Sequence, residues 1–278
     1  MQFIYEQAYG FIVQMAPSLF VFFLASFIFT ICEFFPSNLC NPENNWWKNH
    51  DYYIDIAYFI FNTLIRRYMF LVIAILIWSS LSIFFQDDKI KNFILGTYGP
   101  FGQLAFYEKI IIYLIVSDFT LYWLHRAFHH PILWRYHSIH HSEKQVEWTT
   151  AYRFHPVNLA FSSILTDVVL LYLGITPDVL IFVNPFNAAY SFFVHANLNW
   201  TLGPFKFLLA TPVFHRWHHT NNKESYSKNF SATFTIWDQI FGTFYFPENK
   251  LPKDYGVDDS HFPDTFLGQI MYPLRKRQ

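Results

Sequence analysis

The chain has 278 residues, enough for one substantial domain or two small ones, and a formal net charge of -1. It is 53% hydrophobic and 22% aromatic but only 14% charged, with a mean hydropathy of +0.17, where a soluble domain carries roughly 25% charged residues. That is too little charge to cover a water-facing surface, so an ordinary soluble globule is excluded, lipid is expected to cover much of the chain, and no nucleic-acid partner is expected.

The predicted elements follow in chain order. The opening MQFIYEQAYGF lacks the basic start and small-residue cleavage site of a secretory signal, so the first apolar run is read as a retained anchor. Residues 11 to 32 are long and apolar enough to span a hydrocarbon core of about 30 Å. Residues 33 to 52 form a polar connection in which Trp46 and Trp47 suit the headgroup zone. A second apolar region, 53 to 85, is interrupted by Arg66 and Arg67, which mark either an interfacial break between two helices or a snorkelling site. A third apolar helix is predicted over 109 to 130 and is closed by Pro131. Two shorter apolar runs, 159 to 173 and 178 to 196, joined by LGITPD, read as a helical hairpin that enters the membrane and returns. The return brings His195 back to the face from which His155 departed. The expected fold is therefore all-α, a multi-pass bundle of about four to six membrane helices under a His-rich cytosolic cap. It forms a single membrane domain over 1–278, with N-terminal membrane helices over 1–117, a His-motif catalytic region over 118–243 and a C-terminal cytosolic tail over 244–278.

Charge position adds an orientation. Thirteen of the 19 Lys and Arg fall in 125–156 and 203–278, which the positive-inside tendency places on the cytoplasmic side. Only two cysteines are present, Cys32 and Cys40, with no CxxC pair, so neither a disulfide framework nor an internal iron–sulfur cluster is expected.

Eleven of the 13 histidines lie between positions 125 and 219, in three tight groups: His125, His129 and His130; His137, His140 and His141; His215, His218 and His219. Spacings of three and four put helical side chains on one face, so each group offers rings that can converge on a point. Imidazole suits Zn, Cu, Fe and Ni. One metal takes about four to six ligands, and eight such histidines, supplemented by the single residues His155 and His195, are enough for two metals and too many for one. His130 stays open, because His129 already completes the four-residue spacing, and the isolated His50 and His261 read as ordinary polar residues. Asp118, Tyr122 and His125 line one helical face, and an acid inside an apolar helix marks a functional candidate. Asp118 is expected either to orient a liganding ring or to be satisfied by a neighbouring hydroxyl. Arg153 is a candidate partner for Asp238 or for a polar substrate head.

At these residues the sequence resembles the fatty acid hydroxylase and sterol desaturase superfamily. The resemblance rests on DFTLYWLHRAFHH (118 to 130), PILWRYHSIHHSE (131 to 143), RFHP (153 to 156), HANL (195 to 198), HRWHHT (215 to 220) and NFSATFTIWDQIFGT (229 to 243), close to half of the chain. The ordered set of HxxxH, HxxHH and HxxHH is specific where any one alone is not. The resemblance implies transmembrane helices under a cytosolic cap, two iron ions with zinc as a substitute in purified protein, and hydroxylation or desaturation of a lipid with O2 and two electrons. It implies ligands at His125, His129, His137, His140, His141, His215, His218 and His219, with His155 and His195 as further cluster residues. Asn158 departs from the pattern, since many relatives carry an acid after HP.

No haem, flavin or iron–sulfur motif is present, so electrons are expected from a partner such as cytochrome b5 or a ferredoxin, or from a soluble reductant. A zinc-dependent lipid hydrolase is the first rival, but it wants a carboxylate base as in HExxH, and no Glu lies inside a His triplet. A metal or proton transporter is the second, but it needs polar positions through the membrane depth, and these histidines collect at helix ends. The substrate, and the choice between bacterial inner membrane and endoplasmic reticulum, are left open.

Overall fold

A computed structural model describes residues 19–32, 34–42, 46–81, 92 and 99–275. Nine α-helices recur below: α1, Leu19–Cys32; α2, His50–Leu81; α3, Phe106–Phe128; α4, Pro131–His137; α5, Pro156–Tyr172; α6, Pro177–His195; α7, Pro212–His219; α8, Ile236–Ile240; and α9, Phe266–Met271. Among the described residues there is no β-strand, only isolated bridges such as Leu209 with Phe234 and Thr220 with Tyr255.

Proline sets several of the helix starts. Pro131, Pro156, Pro177 and Pro212 each occupy the first helical position, where the missing N–H costs nothing and φ is already helical. Thr211 accepts from the Phe214 amide at 3.1 Å, capping α7. Pro131 therefore does more than end a helix. α3 stops at Phe128, the chain turns through His129 and His130, and α4 begins at Pro131, so the first and second His groups lie on different helices that meet.

The hairpin predicted over 159–173 and 178–196 is present as α5 and α6. Its outer turn is held against the segment before α3 by close backbone approach. A Cβ on Gly174, where φ is +94°, would stand 2.5 Å from the Gly102 nitrogen, so only glycine fits. α3, α5 and α6 share a core of Tyr113, Leu170, Ile175, Val179 and Val183, and a second core joins Phe22, Phe59, Trp148 and Phe192 from α1, α2, the 148–152 turn and α6. α5 contains a π-helical turn, Ala160–Leu165.

Arg66 does not break the second apolar region: α2 runs without interruption through it. Of the first expected span, residues 11–18 lie outside the described residues and 19–32 form α1. Among the described residues α3 is both long and apolar enough to cross a membrane, which supports a membrane-length helix without establishing the expected count of four to six crossings. The segment after 244 folds back on the cap, with Phe266 stacked edge-on against Tyr58 of α2 at 4.9 Å.

Candidate metal centre

Two groups of histidines come together at the ends of α3 and α6. His125, His129, His137, His141 and His218 form one; His140, His195, His215 and His219 form the other; within each group one nitrogen per ring lies within 4.8 Å of all the others. The helices explain the division. Successive residues on a helix point about 100° apart, so His218 and His219 at the end of α7 are sent to different groups, and the turn that follows α4 divides His140 and His141 in the same way.

The ring orientations are fixed from outside. A carbonyl only accepts, so a ring nitrogen beside one must carry the proton. His125 Nδ1 donates to the Phe230 carbonyl at 2.8 Å, His218 Nδ1 to that of Lys228 at 2.7 Å and His195 Nδ1 to that of Ser191 at 2.6 Å. His137 Nδ1 meets Asn158 Oδ1 at 3.1 Å. Each of these rings then presents an unprotonated Nε2 inward, the arrangement that metal-ligating histidines use.

The inward side fits metal ions. Nε2–Nε2 separations are 3.2 Å for His129 and His218, 3.2 Å for His140 and His195, 3.0 Å for His195 and His215, and 3.2 Å for His215 and His219. A metal–imidazole bond of about 2.1 Å puts neighbouring donors roughly 3.0 to 3.4 Å apart, from octahedral to tetrahedral geometry. Among the described residues, Nε2 of His125, His137 and His141 has no hydrogen-bond partner although buried, an expensive arrangement unless a cation takes the lone pair. Burial, reinforced by neighbouring rings, holds His137, His140, His141, His215, His218 and His219 well below the usual imidazole range. They are therefore neutral at pH 7, the form that ligates.

His155 stands apart from both groups. Its Nδ1 caps α5 by accepting from the Val157 amide at 3.1 Å, and its Nε2 donates to the Ile270 carbonyl at 3.2 Å. His130 caps α4 at the surface, and His50 and His261 are exposed and outside both groups.

Asp118 touches no histidine. Its carboxylate accepts from the Thr233 and Phe234 amides at 2.7 and 2.8 Å and from the Trp237 indole at 3.0 Å, which is neither the ring contact nor the hydroxyl contact expected of it. Asp238 makes a matching clamp, accepting from the Phe230 and Ser231 amides at 2.8 Å each and from the Thr243 hydroxyl at 2.6 Å. Tyr122, fully buried, meets the same Thr243 hydroxyl at 2.9 Å and receives Arg126 at 3.2 Å. Together they hold the 228–243 segment, whose Lys228 and Phe230 carbonyls orient His218 and His125. Both acids thus act on the rings through backbone.

Arg153 pairs with Asp55 at 2.6 Å and Asp51 at 3.0 Å, with Glu143 at 3.9 Å, so its expected pairing with Asp238 is replaced by α2. This ties α2 to the turn that follows His141. Arg216, inside the third motif and fully buried, donates to the Val146 and His195 carbonyls and lies under the Tyr255 ring. Asp55, Asp238 and Arg216 were missed as site-builders. Their one sequence signal is a charge inside an otherwise aromatic or apolar run.

A helical chain with a membrane-length helix that ends in two convergent histidine groups is a membrane-type metalloprotein scaffold. Residues 110–243, just under half of the chain, match the fatty acid hydroxylase family model, in keeping with the resemblance of the histidine motifs to the fatty acid hydroxylase and sterol desaturase superfamily. It is similar to the ornithine lipid hydroxylase OlsE of Rhizobium tropici (30% identity over 170 residues, 61% of this chain and 51% of that protein). It is also similar to human alkylglycerol monooxygenase (36% over 150 residues, 54% and 32%) and rat lathosterol oxidase (28% over 213 residues, 71% and 67%). The chain thus spans about half of the first of these relatives and a third of the second. No solved structure matches it.

Proposed function

We propose that this chain is a membrane-bound di-iron oxidase that hydroxylates or desaturates a lipid, using O2 and externally supplied electrons. The observation that carries the proposal is the pair of histidine groups, nine neutral rings in two sets, with four outer nitrogens fixed by oxygen acceptors. The first set would hold one iron through His125, His129, His137, His141 and His218, and the second the other through His140, His195, His215 and His219. Iron bound there supplies O2 activation, the chemistry that an unactivated C–H bond requires and that side chains alone do not provide.

The chain's own residues do the rest. The Lys228, Phe230 and Ser191 carbonyls and Asn158 hold the rings in the ligating tautomer. Asp118, Asp238 and Tyr122 keep the 228–243 segment in register beneath them. The outer faces of α3, α5 and α6 carry exposed Ile115, Phe119, Phe161 and Phe182, apolar surface against which an acyl chain or sterol can lie, so that position rather than charge sets which carbon is presented. Electrons would come from cytochrome b5, a ferredoxin or a soluble reductant, and the histidine end of α3 would face the cytoplasm.

The relatives support oxidation over the rivals, being named as a hydroxylase, a monooxygenase and an oxidase. Glu143, the carboxylate nearest a His triplet in sequence, is engaged by Thr150 and faces Arg153, which leaves a zinc hydrolase without an evident base. The test is metal content per chain after purification in detergent from iron-supplemented cells, beside a His218→Ala variant. About two irons per parent chain and a clear loss in the variant are expected, followed by oxidised lipid in O2-fed cells. Folded parent protein without metal would sink the proposal, and zinc that added iron does not displace would favour the hydrolase.

A further inference from the structure

The C-terminal segment carries an apolar stripe that the metal site does not use. Leu267, Met271 and Leu274 are 71%, 53% and 70% exposed, and their spacing of four and three places them on one side of α9 and the turn that follows it. Ile132, 69% exposed on α4, lies in the element that packs against that turn. The opposite side of α9 is anchored: Phe266 and Ile270 pack on the Ile54, Tyr58 and Ile139 cluster. The stripe therefore faces outward from a fixed helix.

Its position along α2 says what it faces. The first three turns of α2 belong to the cap, since Asp51 and Asp55 bind Arg153 and the Asn62 amide donates to the Tyr152 and Phe154 carbonyls. That leaves 63–81, about 28 Å of helix at 1.5 Å per residue, a match to a hydrocarbon core of about 30 Å. The membrane boundary along α2 then falls just beyond Asn62. Phe266 stacks on Tyr58 and Phe61, 4.9 and 5.3 Å between centroids, at that border. Arg135 of α4 donates to the Arg275 carbonyl at 3.0 Å, and the sequence runs on through Lys276 and Arg277. An apolar stripe at the boundary, flanked by Arg135 and Arg275 and followed in sequence by two more cations, has the make-up of a segment that lies in the interface of an anionic leaflet.

We propose that 265–275 is an interfacial anchor, with Leu267, Met271, Leu274 and Ile132 seated at the headgroup–acyl boundary and Arg135 and Arg275 beside lipid phosphates. The proposal requires the chain to sit in a bilayer but not that its metal be iron or its chemistry oxidation. The test places a bimane label on Met271→Cys in nanodiscs, with the unsubstituted chain and its Cys32 and Cys40 as the labelling blank, and Lys223→Cys on the exposed cap as the aqueous control. Brominated phospholipid should quench the label at 271 and not at 223, and aqueous iodide should do the reverse. Replacing Arg275, Lys276 and Arg277 together by Gln should lower the quench in phosphatidylglycerol discs to the level seen in phosphatidylcholine discs, with metal content unchanged. A label at 271 quenched by iodide and not by bromine overturns the anchor. So does a label shielded from both, because another segment of this chain or a second copy then covers the stripe. Quenching that ignores the three cations refutes the electrostatic half.

Discussion

Replacement of Asp238 by Ala gives the sharpest test of how the histidine rings are held. The Asp238 carboxylate is fully buried and accepts three hydrogen bonds, two of them from the Phe230 and Ser231 amides. Alanine leaves those two buried amides and one hydroxyl without acceptors, at about 1–3 kcal/mol for each buried group, so a loss of roughly 3–9 kcal/mol is expected if nothing relaxes and less if water enters. The damage should reach the metal site through the backbone, because the Phe230 and Lys228 carbonyls that fix His125 and His218 ride on the same segment. Both rings belong to one group, so metal should be lost from that group first, taking the chain from about two metals towards about one. The assay is metal content per chain beside thermal unfolding in the same detergent, with Asp238→Asn, which keeps one acceptor oxygen, falling between parent and Ala. A folded Asp238→Ala protein that keeps its full metal content and its melting temperature would refute the account of the 228–243 segment as the ring-orienting element.

Three other outcomes follow from the same geometry. Burial holds six cap histidines below the usual imidazole range. Unfolding lets them take up protons below about pH 6.5, so the metal-free protein should be most stable above that pH and lose up to about 1.4 kcal/mol per ring per pH unit beneath it; flat thermal stability between pH 7 and 5 would contradict this. Asn158→Leu removes the acceptor from His137 Nδ1 and should weaken metal retention against a chelator about 10- to 100-fold, whereas Asn158→Asp should match or exceed the parent. Arg153→Met strands the buried Asp55 and Glu143 and should destabilise by about 3–5 kcal/mol, read as thermal unfolding in detergent, and equal melting of variant and parent would count against the Arg153 network.

The sequence exposed the ligand chemistry more fully than the scaffold, for a physical reason. Three- and four-residue spacings act within one helix, so the His triplets were legible, and their family resemblance extended to His195. What spacing does not encode is how two helix ends meet. Two roles could be read only from the fold: His155, isolated in sequence, serves as a helix cap with its second nitrogen on the Ile270 carbonyl, and Asp118, one turn from Tyr122, reaches sideways to amides 115 and 116 residues away. The same holds for Arg153, whose partners on α2 lie 98 and 102 residues earlier.

The buried charges around the histidines share a pattern that bears on how the site is built. Asp118, Asp238, Arg153 and Arg216 are all nearly or fully buried, and none of their hydrogen bonds described above goes to a histidine side chain. Each secures backbone or a neighbouring acid. A carboxylate set directly against a ligating ring would add charge to the metal centre, whereas a peptide carbonyl fixes the same tautomer and keeps the ligand set neutral. The charges are thus spent on holding the 228–243 segment and the turn after His141, and the rings see mostly carbonyls and one amide. That division holds the rings rigidly while keeping their hydrogen-bond partners uncharged, and it makes Asn158, rather than a carboxylate, the consistent choice beside His137.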